Sequence, residues 1–525
     1  MKKIQLLFMG MLCASGIYAQ DLTDGIRYSQ DEIQGTARFR ALSGAFGALG
    51  GDLSAISINP ASSAIFSKSN IAFTLSNTYT KNNARYFGNS NNTKESDFNF
   101  NQAGAAFVFE TKSGSPWRKI ALGIAYERTR SHDNFWRSIG TNTNSSDIFN
   151  DNFTDIDGNR IYSPKNSVSG YFYEHAQGVS LENIRLREGE SITEAYADIG
   201  RAYGFSEQQA FLGLYSELID PVSDTNNNTD YITSIAPGNF NHTYSYYESG
   251  YNGKVAFNFA TQYEDKISLG LNLNSHFVDY EKSTVLRETN SNTGSIVTDL
   301  TFENNLRTKG NGFSFQLGGI FKLTQELRLG LSYDSPIWYT LEDETTQFLD
   351  TSELINNDKD ALNPNIINIF PRYNLRTPGK FTGSLAYVFG KYGLISFDYS
   401  FKDYSNIKFK PQNEFTDINN AANDVLTTAS TYRIGTEIKA TEQLSLRGGF
   451  RYEDSPYKNG ETVGDLNGYS LGLGYSFGNT RLDFTFDQSQ RSSNNNLYNL
   501  MSGDSPYTKV KAKNTNFLLS LSFNI

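Results

Sequence analysis

One stretch of the chain matches the motif of a serine hydrolase. Gly468-Tyr469-Ser470-Leu471-Gly472 fits the Gly-x-Ser-x-Gly string, in which a sharp turn between a strand and a helix exposes the serine hydroxyl as a nucleophile. Here the string lies inside a strand-like alternation, and no helical pattern follows it. We therefore predict that Ser470 lies in mid-strand and does not act as a nucleophile.

Residues that could bind a metal or a phosphate also lack the necessary spacing. Asp155-Ile156-Asp157-Gly158 resembles a calcium loop, but Phe153 and Pro164 would occupy its first and twelfth ligand positions. We predict a solvated turn there, with a weakly bound cation as the alternative. The chain has four histidines without metal-ligand spacing, which are His132, His175, His242 and His276. The sequence thus predicts no metal and no cofactor.

The glycines of Ala41–Gly51 do not form a phosphate-binding loop. They lack a strand-loop-helix frame and the Gly-Lys-Ser/Thr ending that such a loop requires. Glycine allows two segments of backbone to approach closely. We therefore expect these glycines to pack inside a lumen.

The most informative pattern is the alternation of apolar and polar residues near the C-terminus. It runs through Leu444–Tyr452, Arg481–Asp487 and Asn516–Ile525. A period of two places successive side chains on opposite faces of a strand. One face is rich in aromatic residues and the other carries Arg and Asp, as in a barrel with lipid outside and a polar lumen inside. The pattern predicts a transmembrane β-barrel.

The N-terminus predicts export from the cytoplasm. Lys2 and Lys3 precede a mostly apolar run that ends near Ala19, as in a secretory signal peptide. We predict that residues 1–19 are this peptide. The only cysteine of the chain, Cys13, lies within it, so the mature chain has no disulfide.

Composition agrees with a barrel and argues against several other classes. After the predicted signal peptide there is no apolar run of roughly 18 residues, the length that a membrane-spanning helix needs. Aromatic residues make up 14% of the chain, which suits the aromatic girdles of a barrel. The net charge is −10 and no basic stripe appears in the sequence, which argues against nucleic acid as a partner. A soluble all-β array is the alternative.

Alternation and turn residues together predict an all-β barrel of about 14 antiparallel strands. The predicted strands are Asn70–Tyr79, Phe98–Glu110, Lys119–Arg130, Tyr246–Ala260, Ile267–Glu281, Gly312–Lys322, Leu327–Leu341, Tyr373–Phe389, Leu394–Phe409, Ser430–Ala440, Leu444–Glu453, Leu466–Phe477, Thr480–Gln490 and Thr515–Ile525. Every second connection is short, and the others are long. Bacterial barrels have short periplasmic turns and long extracellular loops, so we expect both chain ends on the periplasmic side.

Two segments fall outside the predicted wall. Residues 20–69 precede the first strand of the barrel at 70–525, and we expect them to fold into the lumen as a plug. The connection 131–245 is an insertion on the extracellular side. Within it, Ser191–Ile219 has a helical pattern with a capping box at Ser191 and Glu194 and a break near Gly204.

The apolar residues of this helical segment are candidates for ligand binding. The candidates are Tyr196, Ile199, Phe211, Leu212 and Tyr215. Outside the membrane such a surface must be covered. Packing on the rim of the barrel would cover it, and so would a hydrophobic ligand.

Four charged residues are expected on the lumen face of the last strands, which are Arg447, Arg451, Asp483 and Asp487. Two interpretations are open. The first is a structural network that links the wall to the plug. The second is an electric field in the lumen that selects or orients a substrate.

Three segments resemble the FadL-type outer-membrane transporters of long-chain fatty acids and other hydrophobic compounds. The first runs from Gly35-Thr36-Ala37-Arg38 to Asn59-Pro60-Ala61, and it is similar to the N-terminal hatch of that family. The second is Leu327–Tyr333 with Thr377-Pro378. The third, and the most specific, runs from Thr431-Tyr432-Arg433-Ile434-Gly435 through Leu446–Tyr452 to Ser455-Pro456. Two features depart from the family, because the insertion 131–245 is long and the last aromatic residue, Phe523, lies two positions before the end.

This resemblance implies passive uptake of a hydrophobic small molecule through the outer membrane of a Gram-negative bacterium. Movement of the hatch would release the molecule, commonly through an opening in the wall. Outer-membrane lipid and the barrel-assembly machinery would be the other partners of a monomeric protein that is not an enzyme. A structural or adhesive barrel without transport is the alternative, and a barrel-embedded lipid hydrolase is a further one.

Overall fold

Fourteen antiparallel strands close into a barrel. The computed structural model describes residues 21–525 apart from positions 113, 145–146, 155–159, 354–358 and 504. The predicted signal peptide and the turn at Asp155–Gly158 lie outside the described residues. The barrel closes where the first and last strands pair, with Asn70 opposite Asn524 and Arg85 opposite Lys509. The prediction of a fourteen-stranded barrel is confirmed.

The strands are numbered along the chain. They are β1 (Asn70–Tyr86), β2 (Asn89–Glu110), β3 (Trp117–Ser131 and Asn134–Asn142), β4 (Phe240–Tyr263), β5 (Ile267–Thr289), β6 (Val297–Lys322), β7 (Leu327–Asp334 and Trp338–Glu353), β8 (Tyr373–Arg376 and Lys380–Val388), β9 (Gly393–Asp403 and Lys408–Lys410), β10 (Thr428–Lys439), β11 (Leu444–Glu453), β12 (Leu466–Ser476), β13 (Thr480–Asn496) and β14 (Tyr507–Asn524).

The short connections lie where the sequence predicts them, whereas several long ones are largely strand. The predicted loops at 80–97, 282–311 and 491–514 continue the strands on either side of them. As a result β5 has 23 residues and β6 has 26, although about ten residues suffice to cross the hydrocarbon. Backbone pairing does not require apolar side chains, so the polar parts of these strands continue the barrel beyond the membrane.

Alternation sorts the side chains between lipid and lumen. On β13, Phe484 points outward and is 43% exposed, whereas its neighbours Asp483 and Thr485 are fully buried. Outward apolar residues recur on the other strands and form a belt around the barrel, as the lipid-facing surface of a transmembrane barrel requires. The start of β1 and the C-terminal residue lie at the turn end, where Ile525 N donates to Ser69 O at 2.9 Å, whereas Asp21 lies within the lumen.

The lumen contains helices at both ends of the barrel. Residues 21–66 contribute α1 (Leu22–Ser29), α2 (Ala37–Ala41) and two 3-10 helices (Ser54–Ser57 and Pro60–Ile65). The insertion contributes α3 (Ser169–Ala176), α4 (Leu181–Ile184), α5 (Ile192–Ala202) and α6 (Phe205–Tyr215), and α7 (Thr416–Val425) follows β9. Short strand pairs outside the barrel are Asp147–Thr154 with Arg160–Pro164 and Ile219–Pro221 with Tyr231–Thr233. None of the helices within the described ranges is both long and apolar enough to cross a membrane.

Local sequence explains the helix pair α5–α6. The Ser191 side chain accepts a bond from Glu194 N at 3.2 Å, and the Glu194 carboxylate accepts one from Ser191 N at 3.1 Å. This is the predicted capping box. The break falls at Gly204, whose φ is +111°, a conformation that side chains disfavour. The sequence did not predict α3, α4 and α7.

Candidate functional site

A large cavity occupies the loop-side half of the lumen. Its volume is about 1720 Å³, and the N-terminal segment, most of the barrel strands and the insertion all contribute to its lining. Its lining includes asparagines such as Asn82, Asn304 and Asn494 and aromatic residues such as Trp136 and Tyr498. The lining is therefore amphipathic, and it offers both flat apolar surfaces and hydrogen-bonding groups.

Aromatic rings form one side of this cavity. The Trp136 ring stacks on Tyr246 with 5.0 Å between centroids, and it lies 5.5 Å from Tyr244. On the same side of the lumen, Tyr171 of α3 lies 5.9 Å from Phe302 of β6, and Phe302 and Tyr244 pair with the same residue of β5, Leu286. Such surfaces can take an apolar molecule out of water, at about 25 cal/mol per Å² of buried area.

The N-terminal segment 21–66, here called the hatch, closes the lumen below the cavity. Asn59 caps the 3-10 helix Pro60–Ile65 by accepting a bond from Ala61 N at 3.1 Å. Its amide nitrogen donates to Gly47 O at 2.8 Å and to Gly319 O of β6 at 3.0 Å. The Asn59-Pro60-Ala61 turn therefore joins two parts of the hatch to the wall.

Glycines in the wall allow the hatch to approach closely. A Cβ atom at Gly318 would lie 2.1 Å from Asn59 Oδ1, and one at Gly270 would lie 2.2 Å from the carbonyl carbon of Pro60. On the opposite side of the lumen, a Cβ atom at Gly449 would lie 2.6 Å from the carbonyl carbon of Leu42. Only a residue without a side chain fits at these distances.

Charged residues of β10–β13 bind the other side of the hatch. Arg447 pairs with Glu437 at 2.5 Å and with Asp483 at 2.7 Å. Glu437 in turn pairs with Arg38 of the hatch at 2.8 Å. The predicted lumen charges Arg447 and Asp483 thus belong to a buried network that reaches the hatch.

The other two predicted lumen charges lie nearer the cavity. Asp487 pairs with Arg40 of the hatch at 2.5 Å. Arg451 lines the cavity, and its nearest acid is Glu453 at 3.7 Å. Whether Arg451 and Asp487 also orient a substrate stays a prediction.

Helix α1 places further charges in the lumen. Asp24 pairs with Arg27, and the Arg27 guanidinium lies 4.2 Å from the centre of the Tyr280 ring. Burial raises the pKa of the Asp24 carboxyl to about 6 despite the neighbouring Arg27. Past the helix, Asp31 lies 3.1 Å from Lys380 Nζ and 2.9 Å from Lys402 Nζ. Although burial acts in the opposite direction, these two lysines hold the pKa of Asp31 well below its usual range.

The wall of the cavity is interrupted between β2 and β3. The two strands pair from Gln102 opposite Glu127 to Glu110 opposite Lys119. Within the described part of the barrel, residues 89–101 of β2 have no backbone partner on the β3 side. Beyond the gap, the Thr93 hydroxyl donates to Phe135 O at 2.7 Å. The interruption, here called the wall gap, is therefore bounded at both ends.

Side chains occupy the wall gap. Arg128 lies 3.9 Å from Asp97 and 3.6 Å from Asp133, so two carboxylates from opposite edges of the gap face one guanidinium. On the lipid side, Phe98 is 67% exposed and Phe100 is 49% exposed, so the gap opens onto the apolar belt.

Local backbone geometry explains why β3 leaves β2. The pairing of β3 with β4 shifts register between Arg128 and Arg130, and such bulges bend a strand. Gly250 on β4 has a φ of +97°, and its carbonyl accepts a bond from His132 N at 3.0 Å. The second segment of β3 then pairs with β4 from Asn134 to Asn142.

The predicted ligand-binding residues of α5 and α6 lie in a packed cluster. Tyr196, Ile199, Phe211 and Leu212 are at most 5% exposed, and Tyr215 packs partly buried against them. The same cluster includes Phe302 of β6 and Leu349 of β7. From the same insertion, Tyr171, His175 and Phe205 line the cavity instead. Contact of the five predicted residues with a ligand stays a prediction.

Two serines bear on the hydrolase alternative. Ser470 lies in mid-strand, 2% exposed, and donates to Ala41 O of the hatch at 2.9 Å. A second serine, Ser314, lies 2.8 Å from His276 Nε2. Sequence analysis missed this pair because its members are on different strands. Among the described acidic residues, none lies within ion-pair distance of His276, so the third member that orients the base in a hydrolytic triad is not seen.

Comparisons with known proteins agree with this architecture. The family model described as "Outer membrane protein transport protein (OMPP1/FadL/TodX)" matches residues 221–525. A FadL homologue from Pseudomonas aeruginosa is 12% identical over 94% of this chain and 99% of that one, with a TM-score of 0.50. The toluene transporter TodX of P. putida is 13% identical over 94% and 99%, also with a TM-score of 0.50. At such identities these two likenesses show the fold alone.

No match was found among curated proteins. The match of the family model covers more than half of the chain, and the resemblance read from the sequence is confirmed. The protein belongs to the OMPP1/FadL/TodX family of outer-membrane channels for hydrophobic compounds, and it is a β-barrel of the outer membrane of Gram-negative bacteria.

Proposed function

We propose that the protein takes up a hydrophobic small molecule through its loop end, holds it in the cavity and releases it through the wall gap into the outer membrane. The observation that carries this proposal is that the cavity includes both edges of the gap. Glu95 and Asp97 of β2 line it together with Arg130 of β3 and Asp133, which lies between the two segments of β3. A molecule in the cavity therefore has only side chains between itself and the lipid at this point.

The proposed direction of transport rests on an extracellular loop end. The start of β1, the C-terminal Ile525 and the short turns lie at the opposite end, which is the periplasmic end in bacterial barrels. The residues 20–69 then form a periplasmic hatch and the insertion 131–245 an extracellular layer, as the sequence predicts.

Release through the wall needs no movement of the hatch. Beneath the cavity the hatch is held by the Asn59 bonds, the close glycines and the Arg447 network. Breaking a buried ion pair costs about 3–5 kcal/mol. The gap is held by side chains instead, and charged side chains at a lipid boundary can rearrange toward water. The route through the gap is therefore the less costly one.

We propose a hydrophobic compound of the kind carried by relatives, either a long-chain fatty acid or an aromatic hydrocarbon, as the substrate. The rings around Trp136 would bury its apolar surface, and this driving force needs no cofactor. The predicted surface of α5 and α6 would contribute once its packing opens. An adhesive barrel would require neither the cavity nor the gap, and a hydrolase would depend on Ser314.

Locking the gap tests the proposal. We suggest the double variant Asp97→Cys/Asp133→Cys, because both side chains lie within 4 Å of Arg128 from opposite edges of the gap and the only native cysteine, Cys13, is in the predicted signal peptide. Uptake of radiolabelled toluene and oleate would be measured in cells before and after oxidation. We expect oxidation to reduce uptake at least tenfold, with recovery after reduction.

A matched control distinguishes the effect of closing the gap from the effect of a crosslink as such. Asn83→Cys/Asn92→Cys joins directly opposite residues of the β1–β2 hairpin and leaves the gap open. Its uptake is expected to stay unchanged after oxidation. Equal uptake in the oxidised gap variant would contradict release through the wall. Hydrolysis products that disappear in Ser314→Ala would favour the hydrolase instead.

A further inference from the structure

Six basic residues form a patch on the outer face of three adjacent strands of the barrel. The patch, here called the basic patch, consists of Lys81 and Arg85 on β1, Lys94 on β2, and Lys509, Lys511 and Lys513 on β14. All six residues are exposed. They alternate in step with the lipid-facing residues of the same strands. Four of them lie outside the cavity, whereas Arg85 and Lys509, near the loop-side ends of their strands, also line it.

Strand register brings these charges close together. Lys81 lies opposite Lys94 on one side and opposite Lys513 on the other. Arg85 lies opposite Lys509. Like charges directly opposite each other destabilise a sheet, so a bound anion would offset the cost of this arrangement.

The protein itself supplies no such anion in the part of the chain that the structure describes. Within those residues, none of the six cations makes an ion pair, and Glu95 and Asp97 of β2 have the opposite parity and line the cavity. The net charge of the chain is −10, so an excess of basic residues overall does not explain a cluster of cations.

The height of the patch identifies its surroundings. Along β14 the outward residues run from Phe517 through Thr515 to Lys513. At about 3.3 Å per residue, Lys513 lies roughly 13 Å along the tilted strand from Phe517. Because the headgroup region begins directly beyond the hydrocarbon, the basic patch lies at the level of the headgroups on the loop side.

We propose that the basic patch binds the phosphate groups of a phosphorylated glycolipid in the outer leaflet, of the lipid A type. The proposal rests on the extracellular loop end argued above. Lysine ammonium groups attract phosphate as compact charges, and their aliphatic stems can lie along the acyl chains. The apolar belt immediately below, with Phe98 and Phe517 exposed, accommodates those chains.

A lipid bound at the basic patch would stabilise one edge of the wall gap. Strand β2 carries Lys94 and also forms one edge of the wall gap. A lipid bridging Lys94, Lys81 and Lys513 joins β2 to β1 and β14 from the outside. It therefore steadies the strand edge that lacks a backbone partner.

The test compares two triple variants of the full-length protein. Lys81→Gln/Lys94→Gln/Lys513→Gln removes the central row of the patch. Lys112→Gln/Lys391→Gln/Lys439→Gln removes three exposed lysines at the turn end as the matched control. Each protein, purified in a non-ionic detergent, is titrated with diphosphoryl lipid A, and bound lipid is counted by native mass spectrometry. This readout does not depend on transport or on orientation in a cell.

We expect the wild type and the control to bind diphosphoryl lipid A alike, and the patch variant to bind at least tenfold more weakly. Equal binding by the patch variant, or equal loss in the control, would overturn the proposal. A second titration needs no variant, since wild-type protein should bind dephosphorylated lipid A at least tenfold more weakly. Equally tight binding of the dephosphorylated lipid, or of phosphatidylglycerol, would also overturn it.

Discussion

The hatch and the insertion both fill the lumen, but different interactions hold them there. The insertion buries a continuous apolar cluster that includes Trp136, Phe172, Phe211 and Leu349. The hatch also has apolar contacts of its own, yet it meets the wall at β10–β13 largely through charges and amides, such as Arg38 with Glu437.

This difference predicts different responses to perturbation. Apolar burial is non-directional and depends on area, so the layer formed by the insertion should fail when a large side chain is removed. A buried ion network depends on every member, because removing one charge leaves another unpaired. The hatch should therefore be loosened by the loss of a single charged side chain, and the layer by the loss of side-chain volume.

The largest effect is expected in the layer. Phe211→Ser/Leu212→Ser removes two fully buried side chains, and truncations of this kind cost about 2–5 kcal/mol each. We expect the insertion to become sensitive to protease while the barrel keeps its heat-modifiable gel mobility. Tyr203→Ser, at a position that is 42% exposed, is the control. An intact layer with weakened binding of a labelled fatty acid would instead support the predicted ligand contact of α5 and α6.

The next effect is expected in the ion network. Arg447→Met leaves Glu437 and Asp483 short of one cation, at a cost of about 3–5 kcal/mol. We expect a loosened hatch and a higher single-channel conductance in planar bilayers. The control is Arg201→Met, whose exposed pair with Asp198 is worth about 0–1 kcal/mol. Unchanged conductance in Arg447→Met would mean that the network does not hold the hatch.

A smaller loss of stability is expected where the backbone of the wall and the hatch approach closely. Gly318→Ala forces a Cβ atom toward Asn59 Oδ1, only 2.1 Å away, and such overpacking costs about 1–3 kcal/mol. We expect faster hydrogen exchange in residues 54–66. Gly383→Ala on β8 has no atom within 4 Å of the new Cβ and should exchange like the wild type. If both variants behave alike, the Asn59 turn is not held by close packing.

The smallest effect concerns Asp24. Burial raises the pKa of its carboxyl to about 6 from the ordinary value of 3.8, so the folded state binds the proton more tightly than the unfolded state does. The contribution of Asp24 to stability is therefore present below pH 3.8 and declines as the pH rises to about 6. Hydrogen exchange in α1 should accelerate over that range, and Asp24→Asn should remove the dependence. A dependence that persists in the variant must come from another group.

The barrel could be predicted because alternation is a local property of each strand. The features that the sequence did not predict depend on contacts between residues far apart in the chain. Alternation in segments such as Arg481–Asp487 identifies a strand and its two faces without knowledge of its neighbours. The wall gap depends on a backbone partner that β2 lacks, and no residue within β2 carries that information. Polar strand extensions such as 80–97 looked like loops because their side chains are not apolar.

The candidate site was predictable to a similar degree. The alternation of side chains along each strand placed Arg447 and Asp483 on the lumen face. Their link to Arg38 through Glu437 could not be predicted, because it depends on how the hatch packs against the strands. Inward glycines such as Gly270 and Gly318 were overlooked, although a glycine at a lumen position of a strand could have indicated close approach of another segment. The apolar residues of α6 indicated burial, and only the structure shows that they share one cluster with Phe302 and Leu349.

One comparison of two crosslinks tests the central claim that substrate leaves through the wall and not past the hatch. Ser43→Cys/Ser470→Cys joins the hatch to β12, where the two hydroxyl oxygens lie 2.8 Å apart. Uptake of toluene and oleate would be measured for this lock and for the Asp97→Cys/Asp133→Cys lock, oxidised and reduced. The account predicts that the oxidised hatch lock keeps its uptake and the oxidised gap lock loses it. Loss of uptake in the hatch lock with normal uptake in the gap lock would contradict it.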